Sequence, residues 1–383
     1  MELFTGDNKI PVLSDTDTGS HRGRKMQVEP VTAGATRDYP MPMPFGWFQV
    51  AWSDEIPTGE ARKAYYFGRH LALWRDESGV AHVWDAFCPH MGAHLAIRST
   101  VEGDCLRCAL HRWQFDSDGR CVDIPYSDRL NRKAAVRTYP VVERNGSLFA
   151  WYHPDDEPPA WELPELPEFG EDSGFSEPFR KHYRLGCHWQ EIAETQVDAA
   201  HIQAHLLEYQ IAMNDGKPLD RPPMPQVDRY DTDGPVAEIR ITQSFPTPQG
   251  DVEGRIDTDV WGPGLAATWF TGLVDTLLLG CATPVDDGAC ELRFSFVVRS
   301  TGDAAETSSL GKAFIEEIHE RTVEDVELWE NKAYVPAPAL AHGDGPIMQY
   351  RRWCEQFYAG GVTPGRDIWA PPPGTNGSVV SSV

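Results

Sequence analysis

Two short clusters of cysteine and histidine constrain this chain more than any other feature: Cys88-Pro89-His90 and, seventeen residues later, Cys108-Ala109-Leu110-His111. Read as ligands, they are C-x-H, a spacer, then C-x-x-H. Two thiolates and two neutral imidazoles can share one [2Fe–2S] cluster, the cysteines on one iron and the histidines on the other. Exchanging two thiolates for imidazoles raises the reduction potential. Such a centre accepts electrons from a ferredoxin or flavin donor and passes them on. Pro89 and Gly92 suit a tight loop around a buried inorganic core. The same four residues, with Cys105 forming C-x-x-C with Cys108, also compose a zinc site, although a C-x-H arm is uncommon there.

A chain of 383 residues can hold two domains with substantial cores. Its 34 basic and 58 acidic residues give a formal charge of -24, which repels phosphate backbones and argues against nucleic acid as a partner. The charge suits solubility and docking to a basic face on an electron donor. No run of eighteen apolar residues occurs and no apolar signal core opens the sequence, so no membrane span and a cytoplasmic location are expected. Eight cysteines in this length do not read as a disulfide framework; Cys121, Cys187, Cys281, Cys290 and Cys354 are expected as buried thiols.

Residues 1–38 lack apolar periodicity and read as a mobile arm. From 39 to 153, short aromatic and β-branched runs alternate with turn signals such as Glu77-Ser78-Gly79, the texture of an all-β domain carrying two ligand loops. A Pro-rich, acidic segment over 154–180 reads as a linker running over the surface. A second domain is expected over 181–370, where stretches at 236–244, 252–261, 266–283 and 289–300 read as strands and Asp286-Asp287-Gly288 as a hairpin turn. The fold class is therefore α+β: an all-β cluster domain, then an antiparallel sheet packed with helices. An apolar substrate pocket is expected at Trp269, Phe270, Leu273 and Leu277, four residues that would equally serve as ordinary core. Residues 371–383 read as a disordered tail.

The stretch 191–207 contains neither Gly nor Pro and predicts one helix. At about 100° per residue, Glu194, Asp198, His201 and His205 fall within roughly a 60° arc. Such a stripe can simply face water, but two histidines one turn apart beside a carboxylate can also meet one metal. A two-histidine site needs a third ligand. In the helix expected over 308–332, Phe314, Ile318, Asp325 and Trp329 recur at helical spacing, which places Asp325 on the apolar stripe. A carboxylate there is costly unless paired or metal-bound, so Asp325 is the expected third ligand.

Both cluster arms, with the following Trp113-Gln114-Phe115-Asp116 and Gly119, resemble the Rieske pattern, although Ala109, Leu110 and Arg112 stand where Rieske proteins often have Pro, Phe and Gly. Glu194 with Asp198, His201 and His205 resembles the iron motif of Rieske non-haem iron oxygenases, with three rather than the more usual four residues between the histidines. His188 is a possible replacement ligand. Thr195 stands where an Asn is often found. Asp344-Gly345-Pro346-Ile347, Tyr350-Arg351-Arg352-Trp353 and Gln356-Phe357-Tyr358 resemble the 3-ketosteroid 9α-hydroxylase oxygenase branch, near the sterol 7-desaturases, and Glu324-Asp325-Val326-Glu327-Leu328-Trp329 matches where that branch has its iron-binding aspartate.

The resemblance implies a Rieske domain joined to a helix-grip catalytic domain in a head-to-tail homotrimer. It implies a [2Fe–2S] cluster at Cys88, His90, Cys108 and His111, and mononuclear Fe(II) at His201, His205 and Asp325. Asp198 would bridge a cluster histidine of one subunit to an iron histidine of the next. The implied activity is a monooxygenase using O₂ and NAD(P)H electrons, delivered by a separate ferredoxin or flavin-dependent reductase, on a small apolar organic substrate such as a steroid. The rival is an electron carrier with an appended binding domain and no second iron.

Overall fold

The computed structural model describes residues 41–205, 224–247, 250–272 and 274–361. The arm expected at 1–38, the tail at 371–383, Leu273 and the end of the helix expected to reach 207 lie outside these residues.

The N-terminal half is built from small antiparallel sheets. Strand β1 (Gly46–Trp52) is buried at every position and pairs with β11 (Ser147–Tyr152), equally buried, which carries β10 (Val141–Arg144) at its other edge. A second sheet orders β2 (Ala61–Tyr66), β3 (Arg69–Arg75), β4 (Ala81–Asp85) and β9 (Thr138–Tyr139). Phe48, Tyr66, Leu71 and Leu148 fill the core that these two sheets share. The third sheet, β5 (Thr100–Glu102), β6 (Cys105–Arg107), β7 (Gln114–Phe115) and β8 (Cys121–Asp123), carries the second cysteine–histidine arm between β6 and β7.

The C-terminal half is one seven-stranded antiparallel sheet ordered β12-β18-β17-β16-β15-β14-β13. Its strands are β12 (Phe179–Leu185), β13 (Gln226–Asp233), β14 (Val236–Thr247), β15 (Gly250–Trp261), β16 (Ala266–Thr271), β17 (Thr276–Asp286) and β18 (Ala289–Val298). The single strand expected over 266–283 is two strands, because the chain reverses at Gly272, whose φ of +108° suits glycine. The hairpin expected at Asp286-Asp287-Gly288 joins β17 to β18, with Gly288 N donating to Asp286 Oδ1 at 2.9 Å.

Helices α1 (Trp189–Ala193), α2 (residues 199–205), α3 (Ala304–Asn331) and α4 (Ile347–Cys354) accompany this sheet. The helix expected from 191 is not continuous. It ends after α1, passes through a 3-10 turn at Glu194–Gln196, and restarts at Asp198, whose Oδ1 accepts His201 N–H at 2.9 Å as an N-cap. Gly345 sits against this break at φ +88°, and a Cβ there would lie 2.0 Å from the Val197 carbonyl oxygen. Propensity favours a long helix here; packing against the 343–346 loop and the cap at Asp198 override it.

The Pro-rich segment is not a surface linker along its whole length. Trp161, Leu163 and Leu166 pack with Trp47, Trp151 and Leu277, and Trp47 Nε1 donates to the Trp161 carbonyl at 2.8 Å. The two halves also meet along a seam. Phe67 N donates to Pro284 O at 3.1 Å and Gly68 N to Val285 O at 2.8 Å. Beside it, Tyr66 donates to Glu291 at 2.5 Å, and both Arg293 Nη2 (2.9 Å from the Tyr66 hydroxyl) and His182 (3.0 Å from Glu291) close a buried network. Burial alone would raise the Glu291 carboxyl, but the charge of Arg293 and the bonds from His182 and Tyr66 hold it down at about 2.

Candidate metal centres

The two cysteine–histidine arms are built alike. In the first, Cys88 N donates to Ala93 O at 2.8 Å and Gly92 N to Cys88 O at 2.9 Å; in the second, Cys108 N donates to Trp113 O at 2.8 Å and Arg112 N to Cys108 O at 3.1 Å. Each loop turns through the left-handed region at the same place, Gly92 (φ +73°) and Arg112 (φ +63°). In each, two backbone N–H groups act on the sulfur, those of His90 and Met91 on Cys88, and those of Leu110 and His111 on Cys108. Such donors favour the thiolate, the form that binds metal. The two thiols also act on each other, which raises Cys88 and lowers Cys108.

The histidines form a second pair. The His90 and His111 ring centroids lie 4.5 Å apart, and His90 stacks on Trp113 at 4.3 Å with the planes 7° apart. His90 Nδ1 is buried and makes no hydrogen bond among the described residues, a costly state for a ring nitrogen with nothing bound to it. These four residues are not gathered about one point. Among the described residues, three or more metal-type donor atoms lie mutually within 4.8 Å only at His201, His205 and Asp325. Paired sulfurs beside paired imidazoles fit two irons sharing a cluster and do not fit one tetrahedral zinc. Cys105, the extra thiol of the zinc reading, donates to Asp104 at 3.3 Å instead.

The second centre joins α2 to α3. His201 Nε2 and His205 Nε2 lie 3.0 Å apart, and Asp325 Oδ2 lies 3.2 Å from the first and 3.1 Å from the second. An ion with ligand bonds of about 2.1 Å at right angles spaces its donors by about 3.0 Å, so the three atoms match one face of an octahedron. Three residues between the histidines thus suffice for both rings to reach one point. Burial works against a charged imidazole, but the hydrogen bond and charge of Asp325 hold His201 above its usual value. Burial likewise opposes the Asp325 carboxylate, and both histidines hold it below its usual value. Lys332 ion-pairs with the buried Glu191, tying the end of α3 to α1.

His205 and Asp325 line a cavity of about 450 Å³ between one face of the sheet and α3. Phe314, Ile318 and Trp329 of the Asp325 stripe line it, as does Phe270. Trp269 and Leu277 do not. They are cross-strand partners on the opposite face of the sheet, Leu277 in the core with Leu163 and Trp269 packed against it, with Trp269 Nε1 donating to Glu168 at 2.8 Å. Strand alternation separates them from Phe270, and a run buried on both faces gives no sign of which parity faces the cavity.

His188, the alternative ligand, is not part of the His201–His205–Asp325 group. It caps α1, its Nδ1 accepting Gln190 N–H at 3.3 Å, and burial pushes its pKa down to about 4. Glu194 is not a ligand either: Arg351 Nε and Nη2 each donate to one of its oxygens at 2.8 Å, and Gln190 adds a third bond at 2.9 Å. Arg351 and Gln190 carry no metal-ligand signature, so only the pairing of a buried Glu with a distant Arg could have marked them.

Known proteins share both halves. The Rieske [2Fe-2S] domain profile matches residues 46–140, and that of the 3-ketosteroid 9alpha-hydroxylase C-terminal domain matches residues 150–358. The cholesterol 7-desaturase of Ciona intestinalis is 31% identical over 347 residues, covering 84% of this chain and 70% of that protein. The oxygenase component of a 3-ketosteroid-9-alpha-monooxygenase from Rhodococcus rhodochrous is 29% identical over 331 residues, covering 82% of this chain and 80% of that protein. Among solved structures, apo dicamba monooxygenase superposes with a TM-score of 0.61 at 18% identity, covering 82% of this chain and 96% of that one, a likeness of fold. With two thirds or more of each curated relative spanned and both profiles in order, the chain belongs to the Rieske oxygenases that carry the 3-ketosteroid 9α-hydroxylase C-terminal domain.

Proposed function

We propose that this oxygenase acts on a steroid or closely similar polycyclic, hydroxylating or desaturating it with O₂ and NAD(P)H electrons delivered by a separate ferredoxin or flavin-dependent reductase. The observation that carries the reading is the His201–His205–Asp325 face, with donor atoms 3.0–3.2 Å apart, at an apolar cavity of about 450 Å³. That volume falls in the range of about 300–1,000 Å³ usual for small-molecule sites. The names of the sterol desaturase and ketosteroid monooxygenase relatives support the substrate class.

Cys88, His90, Cys108 and His111 would hold a [2Fe–2S] cluster, which supplies one-electron storage. His201, His205 and Asp325 would hold Fe(II), which supplies O₂ chemistry at positions the protein leaves open. The remaining work belongs to the polypeptide. Apolar side chains of the sheet and α3 exclude water and orient the substrate. Asp198 positions His201 by capping α2. Its role as bridge to a cluster histidine of a neighbouring copy fits a homotrimer, as do Met91 and Leu110, 68% and 56% exposed at the tips of the arms. No helix among the described residues is long and apolar enough to cross a membrane.

Iron counting followed by turnover tests this. About three irons per chain are expected, against about two for an electron carrier. A surrogate reductase with NADH and O₂ should then convert a member of a steroid panel faster than small aromatics. Two irons per chain, or no O₂-dependent steroid product, would overturn it.

A further inference from the structure

The cavity floor is one face of the sheet, and apart from the exposed Thr271 at the end of β16 it has one polar spot, which is buried. Thr258 of β15 and Thr268 of β16 are direct cross-strand partners, 3% and 6% exposed, with their hydroxyl oxygens 3.0 Å apart. Both line the cavity. Their neighbours along the strands and across the sheet are Ile256, Val260, Ala266, Phe270, Ile239 and Leu278. Valine has the same shape as threonine and at least its strand propensity, so the fold alone asks for no hydroxyl here. Burying one is costly unless it is bonded.

The pair satisfies only part of that demand. One hydroxyl donates to the other, and the second proton has no acceptor among the described residues. On the helix side of the cavity, the Arg321 guanidinium is taken up by Glu317 at 3.1 Å and Glu324 at 3.0 Å. The floor therefore offers one buried hydrogen-bond donor facing an apolar space.

We propose that Thr258 and Thr268 form a substrate subsite that hydrogen-bonds one oxygen of the polycycle, holding that end on the sheet floor and so fixing which carbon lies beside His205 and Asp325. The proposal rests on the steroid reading and deepens it. A cross-strand threonine pair can also serve the sheet alone. The two roles differ in whether removing the hydroxyls changes ligand selectivity.

The test is equilibrium binding to the iron-loaded holoenzyme, anaerobic and without reductant, of 5α-androstane, 5α-androstan-3-one and 5α-androstan-17-one. Wild type should bind one ketone about three- to tenfold tighter than the parent hydrocarbon, the worth of one net hydrogen bond. The double variant Thr258→Val/Thr268→Val should bring that ratio to within about twofold while hydrocarbon affinity holds. The double variant Thr258→Ser/Thr268→Ser, which keeps both hydroxyls, should retain the preference. A preference surviving in the valine variant, or lost in the serine variant, would overturn the subsite and leave the steroid reading intact. Failure of all three steroids to bind wild type would overturn the steroid reading and the subsite with it.

Discussion

The Glu194 carboxylate and the Arg351 guanidinium, 157 residues apart, meet in a buried two-pronged ion pair with both contacts at 2.8 Å. Gln190 donates to the same carboxylate, and Tyr358 donates to Gln190 at 2.7 Å. The chain of contacts clamps the turn between α1 and α2, which leads into His201, to α4. Arg351→Met strands the Glu194 charge and should destabilise the protein by about 3–5 kcal/mol in denaturant titration. If the clamp positions α2, a chelator should strip the mononuclear iron faster in this variant while the visible spectrum of the cluster is unchanged.

Asp325 supplies the carboxylate between His201 and His205. Asp325→Ala should lower iron from about three to about two per chain and leave the cluster signal in EPR intact. A full complement of iron in this variant would remove Asp325 from the ligand set.

Substitution can separate the cap that Asp198 forms from the bridge proposed for it. Asn can cap a helix as well as Asp does, so Asp198→Asn should keep stability within about 0.5 kcal/mol and retain both metals. Coupled turnover should nonetheless be nearly abolished if the carboxylate bridges subunits. Asp198→Ala should lose about 1 kcal/mol in addition. Full activity in the Asn variant would eliminate the bridge.

Arg112 occupies a left-handed position that its counterpart Gly92 fills without strain. A side chain there costs about 1–2 kcal/mol, partly offset by the exposed bonds from Arg112 to Thr100 and Glu102, each 3.2 Å. Arg112→Gly should stabilise the holoprotein by up to about 1 kcal/mol in thermal unfolding without changing the cluster spectrum.

His188 is buried neutral, its pKa pushed from 6.5 down to about 4. The unfolded chain takes up this proton first as pH falls. The stabilisation is therefore complete above pH 6.5 and is lost progressively down to about pH 4. His188→Asn keeps a cap acceptor and does not titrate. Between pH 7 and pH 5 the wild type should lose about 2 kcal/mol more stability than this variant.

How much was legible in the residues depended on whether chemistry or packing decided the matter. The approach of the two Cys/His arms was legible because such short arms have few other uses, and the meeting of Asp325 with His201 and His205 because a carboxylate on an apolar helical stripe demands a partner. The break before Asp198 was not, since every residue from 191 to 207 tolerates a helix and the interruption comes from Gly345 and the Glu194–Arg351 clamp, far away in sequence. Trp269 and Leu277 were misplaced because their strands are apolar on both faces, one turned to the cavity and the other to Trp161 and Leu166. The hydroxyl pair at Thr258 and Thr268 becomes visible only once strand register makes the two residues neighbours.

The seam at Phe67 and Gly68 bears on how electrons can be handled. The tip of the β2–β3 hairpin is stitched by main-chain bonds to the end of the β17–β18 hairpin, over the buried Glu291 and Arg293 charges. Pivoting one half against the other would break those stitches and uncover the ion pair, so the seam opposes a hinge between the two candidate centres. If the two centres are loaded as proposed, electron delivery would depend on which molecule sits against the exposed tips of the arms, a matter of encounters rather than of an internal hinge.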